Sequence, residues 1–179
     1  MLSPTAKVIL GMLRLGRRTG YEIKQLVDVS TRFFWAASYG QIYPELRRLE
    51  GSGLIAGADA STDGRRRREY ELTAAGEEAL DEWLRLGDDL VHEIRDEGML
   101  KLFFSDGMAP DERVALVRAL RARQEDKLAR LRSIEDAARR CGGGPYAALR
   151  YGLAVSEFSA RWLADLEREL EETTALERR

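Results

Sequence analysis

Apolar side chains recur at helical spacing in two short stretches at the start of the chain. The first stretch follows Ser3-Pro4, a typical helix start, and ends near Gly16; its apolar positions are Val8, Ile9, Met12 and Leu13. The second lies beyond the turn at Gly20, with apolar positions at Tyr21, Ile23, Leu26 and Val27. The pattern therefore predicts two short helices before residue 30.

A third helix is predicted from Ser38, because Ser38 and Gln41 have the spacing of a capping box. One face is apolar, at Ile42, Leu46 and Leu49, and the others carry Tyr39, Gln41, Tyr43, Arg47 and Arg48. This pattern fits an ordinary amphipathic surface helix, and it also fits a helix whose polar front enters a DNA major groove. Three short helices in succession favour the second interpretation, since a helix-turn-helix core has this layout.

Pro44 is the irregular residue of this third helix. If the helix begins after Ser38, Pro44 lies beyond the first turn and removes a helix hydrogen bond. If the helix effectively begins near Gln41, the missing N–H of Pro44 removes no hydrogen bond. We expect an irregular N-terminal turn.

Two short antiparallel strands are predicted next, at residues 54–56 and 65–73, around a loop over residues 57–64. In the second strand Tyr70 and Leu72 alternate with polar residues, so one face packs and the other is exposed. Four consecutive arginines lie where the loop becomes that strand: Arg65, Arg66, Arg67 and Arg68. A charge run is usually a solvated face, but guanidinium groups beside a candidate reading helix also suit phosphates and the minor groove.

The C-terminal half is predicted to be helical. A helix that begins at Thr73 carries Trp83, and Gly87 marks a kink or break. A long helix from Pro110 is apolar to about residue 140, and a last helix follows the break at residues 142–145. These wide apolar faces exceed what an N-terminal domain needs for its core. They indicate a second helical subdomain, a partner surface, or both.

Charge is distributed unevenly along the 179 residues, whose net charge is −2. Residues 1–72 hold 12 Lys/Arg and 8 Asp/Glu, a net of +4, whereas the remainder holds 17 and 23, a net of −6. This balance excludes a uniformly basic nucleic-acid binder. The net positive charge of the N-terminal half would favour contact with phosphates. The lone Cys141, the lack of a signal-peptide pattern and the lack of a long apolar run predict a cytoplasmic protein without membrane contact.

No residue pattern supports catalysis or metal binding. Cys141 and His92 each occur once and lie about 50 residues apart, and no Cys/His cluster suits zinc. The paired carboxylates near Asp88 lie on the polar side of a predicted helix, where solvation explains them better than acid–base chemistry. We therefore predict neither enzyme activity nor a cofactor, with an enzyme that uses paired carboxylates as the remaining alternative.

The order of these elements and motifs resembles the PadR family of bacterial transcriptional regulators. The resemblance rests on four motifs: Gly20-Tyr21-Glu22-Ile23, Ile42-Tyr43-Pro44-Glu45-Leu46, Gly53-Leu54-Ile55 and Tyr70-Glu71-Leu72-Thr73. It covers residues 1 to about 86. Beyond them, the helical layout and length resemble the longer C-terminal domain of one PadR subgroup.

The resemblance implies a mainly α fold with a small β-wing. Residues 1–86 would form a winged helix-turn-helix DNA-binding domain, and residues 87–179 a helical domain for dimerisation and candidate effector binding. It further implies a homodimer that represses transcription at an inverted-repeat operator in double-stranded DNA. In several relatives a phenolic or other aromatic small molecule releases the DNA.

The residues that this resemblance places on DNA lie on the third helix and the wing. They are Ser38, Tyr39, Gln41, Tyr43, Arg47 and Arg48 on the helix, and Arg65, Arg66, Arg67 and Arg68 on the wing. Tyr21, at the start of the second helix, either meets the DNA backbone or braces the third helix. A helical protein–protein interaction module, whose wing contacts a protein rather than DNA, is the alternative function.

Four aromatic residues are candidates for framing a planar effector: Trp83, Phe103, Phe158 and Trp162. Aromatic residues at helical spacing are more often part of a core than of a pocket. Both interpretations of these four residues are open at the level of sequence.

Overall fold

The computed structural model describes residues 2–62, 65–87 and 96–177, and of residues 61, 62, 65, 66 and 177 it describes the backbone alone. The chain divides into two compact units, Met1–Leu90 and Val91–Arg179. The first unit holds helices and a two-stranded antiparallel sheet, and the described part of the second is helical. The predicted fold class, mainly α with a small β-wing, is confirmed.

Three helices open the first unit: α1 (Pro4–Arg14), α2 (Gly20–Val29) and α3 (Tyr39–Gly51). The hydroxyl of Ser3 caps α1 by accepting the N–H of Ala6 at 3.0 Å. Thr19 and Glu22 form a capping box at the start of α2, each side chain accepting the other's N–H at 3.1 Å. These caps fix where the chain enters each helix. The predicted start of the first helix is confirmed, and the second begins at Gly20, one residue before the predicted start.

The wing consists of β1 (Ile55–Thr62) and β2 (Arg65–Leu72), paired from Ile55 opposite Leu72 to Thr62 opposite Arg65. The predicted loop over residues 57–64 is wrong for residues 57–62, which continue the first strand. Small and polar residues have low strand propensity, but each of these six has a partner on β2, and pairing overrides propensity. The predicted alternation in β2 is confirmed, because Tyr70 is buried while its neighbours on either side are not.

The core of the first unit joins the three helices, the wing and α4 (Ala74–Arg85). Its fully buried side chains include Ile9, Leu10, Ile23, Val27, Ile42, Leu46 and Leu49 of the helices, Ile55 of β1 and Leu80 of α4. The hydroxyl of Thr73 caps α4 by accepting the N–H of Gly76 at 3.1 Å, and it donates to the carbonyl of Gly53 at 2.7 Å. Through Thr73, the start of α4 is tied to the turn between α3 and β1.

The second unit contains α5 (Glu97–Phe103), a 3-10 turn (Ser105–Gly107), α6 (Pro110–Ser133), α7 (Glu135–Cys141) and α8 (Gly143–Glu177). Helices α6 and α8 pack antiparallel: Arg118 pairs with Glu167 at 2.7 Å and Arg132 with Glu157 at 2.9 Å. Val117, Leu120 and Leu163 are buried between them.

Two predicted boundaries in the second unit are wrong. The helix predicted to run to about residue 140 ends at Ser133, and α7 is a separate helix. The last helix begins at Gly143 rather than at Tyr146. Pro145 lies in its first turn, where a proline removes no helix hydrogen bond. Helix α4 ends at Arg85, two residues before the predicted kink or break at Gly87. His92 and the carboxylates at 88, 89 and 93 lie outside the described residues.

In the described part of the chain, no helix is long and apolar enough to cross a bilayer. Among the same residues, no group of His, Cys, Asp and Glu side chains is placed to hold a metal ion.

Gly76 is predicted to be intolerant of any side chain. A Cβ at this position would overlap the carbonyl oxygen of Leu54, which is backbone and already accepts the N–H of Thr73. We expect Gly76→Ala to lower the free energy of unfolding by about 2–3 kcal/mol, measured by urea denaturation. Gly11→Ala is the matched control, since a Cβ there meets nothing within 4 Å and should stabilise α1 by about 0.5–1 kcal/mol. Equal effects of the two substitutions would contradict this packing.

Candidate nucleic-acid interface

Helix α3 is held by a buried stripe and presents a polar front. Ile42, Leu46 and Leu49 are fully buried against α1 and α2. Along the flank beside this stripe, Tyr39 and Tyr43 are 43% and 42% exposed. Gln41, Arg47 and Arg48 are exposed as well. The apolar stripe predicted from the sequence is therefore the buried face, and the aromatic and basic residues face away from the core.

The first turn of α3 is closed by its own side chains. The carboxamide oxygen of Gln41 accepts the N–H of Ser38 at 2.9 Å and its hydroxyl at 3.1 Å. The Ser38 carbonyl accepts the N–H groups of both Gln41 and Ile42 at 3.0 Å. Pro44 is the sixth residue of the helix, so the first of the two alternatives for it holds. Because Pro44 has no N–H, the carbonyl of the exposed Gly40 lacks its helix donor.

The two tyrosines of α3 form a stacked pair. Their ring centroids lie 6.0 Å apart with an interplanar angle of 18°, and the Lys24 ammonium lies 5.5 Å from the Tyr39 ring centroid. Tyr43 packs on Gly20 of α2, where a Cβ would come within 2.8 Å of the tyrosine Cε1. A side chain at position 20 would therefore displace the Tyr43 ring from α2.

Tyr21 projects from α2 with 56% of its surface exposed. Its hydroxyl accepts a hydrogen bond from the Gln25 side chain, one turn further along the same helix, at 2.8 Å. Gly20 of the same motif lies against α3, next to the ring of Tyr43. The sequence motif contained this glycine, but its spacing alone did not show which neighbour packs against it.

The two adjacent arginines of α3 differ in their partners. Arg48 donates to both carboxylate oxygens of Glu45, at 3.0 and 2.7 Å. Arg48 is the main cause that lowers the pKa of Glu45, which also accepts a hydrogen bond from the Ser3 hydroxyl. Arg47 has no hydrogen bond or ion pair among the residues that the structure describes. Its guanidinium is therefore the uncommitted cation on the front of α3.

Three charged side chains and one backbone carbonyl bind the wing to α3. We call this group the wing clasp; it consists of Glu50, Asp59, Arg68 and the carbonyl of Gly57. The Arg68 guanidinium donates to Asp59 at 2.9 Å, to the Gly57 carbonyl at 3.3 Å and to both oxygens of Glu50. Arg68 is also the main cause that lowers the pKa of Glu50, so this carboxylate remains ionised at neutral pH. A Cβ at Gly57 would come within 2.7 Å of the Arg68 Nε. Sequence reasoning missed Glu50 and Gly57, because they act only through the folded wing.

The other edge of the wing is bonded to the turn between α1 and α2. The N–H of Tyr70 donates to the carbonyl of Arg18 at 2.7 Å, and Arg18 pairs with Glu71. Burial raises the pKa of Tyr70, which stays protonated. The wing is thus attached at one edge to the helix turn and at the other to α3.

Arg67 lies on the exposed side of β2 and pairs with Glu69 at 2.6 Å, with 47% of its side chain exposed. Arg65 and Arg66 are part of strand β2, and only their backbone is described. Arg17, the residue before Arg18, is exposed and has no ion pair in the described part of the chain. The sequence interpretation passed over Arg17 because it treated residues 17–20 as a loop.

The four aromatic residues predicted to frame an effector belong to different units. Trp83 packs against the core of the first unit, with the Lys7 ammonium 5.2 Å from its ring centroid. In the second unit, Phe103 of α5 and Phe158 of α8 are mostly exposed, and Trp162 is 43% exposed. Trp83 therefore follows the core interpretation, whereas the other three offer apolar surface.

The sequence matches known protein families in both halves of the chain. Residues 9–82 match the transcriptional regulator PadR-like family, and residues 94–171 match the family described as virulence activator alpha C-term. The chain is 32% identical to the negative transcriptional regulator PadR of Bacillus subtilis over 125 residues, 69% of this chain and 68% of that protein.

Solved structures of the same B. subtilis regulator have a similar fold. Its complex with operator DNA gives a TM-score of 0.85 at 25% identity and covers 95% of this chain and 99% of that one. Its complex with p-coumaric acid gives a TM-score of 0.73 at 25% identity and covers 96% and 99%. The predicted resemblance is confirmed, and the chain belongs to the PadR-like family of transcriptional regulators.

Proposed function

We propose that this protein binds double-stranded DNA as a homodimer and represses transcription at an inverted-repeat operator. The observation that carries the proposal is the front of α3, where Tyr39, Tyr43 and the uncommitted Arg47 project on one side of a helix whose back is fully buried. The crystal structure of B. subtilis PadR with operator DNA supports it, since that regulator has the same fold.

Direct reading of bases is assigned to the front of α3. An arginine can donate two hydrogen bonds to the major-groove edge of guanine, and Arg47 has no competing carboxylate among the described residues. Tyr39, Tyr43 and the N-terminal pair Ser38 and Gln41 complete the proposed reading surface. Arg48 belongs to it as well, although its guanidinium is also bonded to Glu45.

Phosphate contacts are assigned to the wing arginines, Arg65, Arg66 and Arg67, together with Tyr21. Arg67 is paired with Glu69, but an exposed ion pair contributes only about 0–1 kcal/mol and is readily exchanged for a phosphate. Arg68 has two carboxylates and a carbonyl as partners. Its contribution to DNA binding is therefore to position the wing on α3, with any phosphate contact secondary.

Dimerisation is assigned to the exposed apolar surface of the second unit. Phe103 is 77% exposed, Phe104 70% and Phe158 67%. The rings of Phe103 and Phe104 contact each other, with centroids 5.0 Å apart. Exposed large apolar side chains are typical of association surfaces. A second copy of the chain is the occupant that two-fold operator symmetry requires.

Release of DNA by a small aromatic molecule completes the proposed regulation. The B. subtilis relative has been solved with p-coumaric acid. In this chain Phe103, Phe158 and Trp162 of the second unit are the aromatic residues proposed to contact such a molecule.

Arginine substitutions separate base reading from phosphate binding. We expect Arg47→Ala to relax sequence preference by about 1–3 kcal/mol at one base pair, and Arg67→Ala to weaken specific and random duplexes alike, flattening the salt dependence by about one unit. The measurement is fluorescence anisotropy with DNA from upstream of the protein's own gene and with random duplex. Arg85→Ala on α4 removes the same charge away from the wing and should change neither quantity.

Equal losses for Arg47→Ala and Arg67→Ala on both duplexes would contradict this division of roles. A lack of saturable, salt-sensitive binding by the wild type would favour the helical interaction module instead.

The wing clasp predicts that removing the negative charge of Glu50 weakens DNA binding, although charge alone predicts tighter binding. Glu50→Gln removes a negative charge from α3, which by charge alone should tighten DNA binding. Because Glu50 holds Arg68 and thus the wing, we expect specific binding to weaken roughly three- to tenfold in the anisotropy titration. Glu78→Gln on α4 is the control of equal charge, since Glu78 has no ion pair among the described residues and should bind no more weakly than wild type. Tighter binding by Glu50→Gln would refute the clasp.

Size-exclusion chromatography with light scattering tests the dimer. We expect a mass of twice the 20.3 kDa chain at micromolar concentration. A monomeric mass under these conditions would count against the dimeric repressor.

A further inference from the structure

Lys24 of α2 is covered to an unusual degree for a lysine in a helical ion pair. Its ammonium donates to Asp28, one turn further along the same helix, and only 12% of its side chain is exposed. Other pairs at this spacing leave the cation open to solvent, with Lys101 61% and Arg85 75% exposed. An ion pair on a helix surface needs no burial. The pair with Asp28 alone therefore does not explain why Lys24 is covered.

The second partner of Lys24 is the ring of Tyr39 on α3. The ammonium lies over this ring at 5.5 Å from its centroid, a distance at which the ring quadrupole attracts a cation. Asp28 accepts one of the three ammonium protons, so the other two remain available to the ring. Lys24 is also the main cause that lowers the pKa of Asp28, so the carboxylate that holds the ammonium is ionised at neutral pH.

Helix α2 meets the two tyrosines of α3 at two points with matching spacing. Gly20 and Lys24 are four residues apart on α2, as Tyr39 and Tyr43 are on α3. Lys24 lies over the Tyr39 ring and Gly20 lies against the Tyr43 ring, and the two rings stack with centroids 6.0 Å apart. Neither tyrosine hydroxyl has a hydrogen bond among the described residues. The rings are therefore held while their hydroxyl groups are left available.

We propose that Lys24 is a positioning residue for base recognition, which holds the Tyr39 ring, and through the stack the Tyr43 ring, on the front of α3 before DNA binds. An exposed aromatic side chain otherwise samples several rotamers, and ordering it on binding lowers the affinity. Contacts with base edges require a defined side-chain position. Lys24 itself contacts neither base nor phosphate, because its ammonium is committed to Asp28 and Tyr39.

This assignment rests on the proposed function, because it concerns the tyrosines assigned to base reading. It differs measurably from a direct phosphate contact. A lysine bound to phosphate strengthens binding to all sequences, and its loss flattens the salt dependence by about one unit. A positioning lysine adds affinity only where bases are read, so its loss leaves the salt dependence and the affinity for random duplex unchanged.

Lys24→Met tests the assignment, since methionine keeps an unbranched apolar stem and removes the charge. In fluorescence anisotropy we expect affinity for DNA from upstream of the protein's own gene to fall about three- to tenfold, with random duplex unaffected. Lys24→Arg keeps a cation that stacks on aromatic rings and should retain most of the preference. Lys7→Met is the matched control, because the Lys7 ammonium lies over Trp83, at 5.2 Å, and should leave the preference unchanged.

A double-variant cycle isolates the contact between Lys24 and Tyr39. Tyr39→Leu removes the ring and should lower specific affinity by itself. In that background Lys24→Met should cause less than about a twofold further loss, because the interaction it removes is already absent. In the free protein, the ring current of Tyr39 should shift the NMR signals of the Lys24 ε-methylene protons upfield, and Tyr39→Leu should abolish this shift. Circular dichroism checks that each variant is folded.

Three results would overturn the assignment. These are full specific affinity in Lys24→Met, an equal loss on specific and random duplexes with a flatter salt dependence, or an undiminished further loss in the Tyr39→Leu background. If the wild type has no preference for the upstream DNA, the proposed function fails instead. The NMR shift then decides the placement of Tyr39 by Lys24: its presence supports that placement, and its absence refutes it.

Discussion

Complete burial of Ile42, Leu46 and Leu49 is the constraint on which the N-terminal unit depends. Each fully buried aliphatic side chain contributes about 1.5–3 kcal/mol, so the back of α3 cannot turn outward without a large loss of stability. A helix has a fixed angular period, and fixing its back fixes its front. Tyr39, Tyr43 and Arg47 follow one another at spacings of four and must therefore lie along a single exposed line. The surface proposed to read DNA is thus a geometric consequence of core packing.

Ion pairs then sort the arginines of this unit into structural and available groups. Arg48 is held by Glu45, and Arg68 by Glu50 and Asp59. Arg14 joins α1 to α4 through Glu77 and Asp81. Arg47 has no such partner among the described residues. A net positive charge in the N-terminal half is therefore only a first approximation to DNA affinity, because part of that charge maintains the relative placement of α3 and the wing.

Local signals allowed much of this arrangement to be predicted. Caps such as Ser3-Pro4 and Ser38 with Gln41 act within a few residues, and the stripe of α3 is visible as a simple periodicity. The length of β1 was missed because its residues have low strand propensity and depend on pairing with β2. The Asp63-Gly64 dipeptide is typical of two-residue hairpin connections, and it is the sequence signal that would have predicted a shorter loop.

Other features had no local signal. The partners in the wing clasp, Glu50 and Arg68, are 18 residues apart in sequence, and nothing in their spacing pairs them. The break between α6 and α7 lies within an apolar pattern that continues through it.

We propose that two copies of α3, each fixed by its buried stripe and by the wing, read DNA together. Hydroxyl-radical footprinting on DNA from upstream of the protein's own gene tests it most directly. The predicted result is two protected patches related by two-fold symmetry, about one helical turn or roughly 34 Å apart. A single asymmetric patch, or no protection at saturating protein, would contradict the claim.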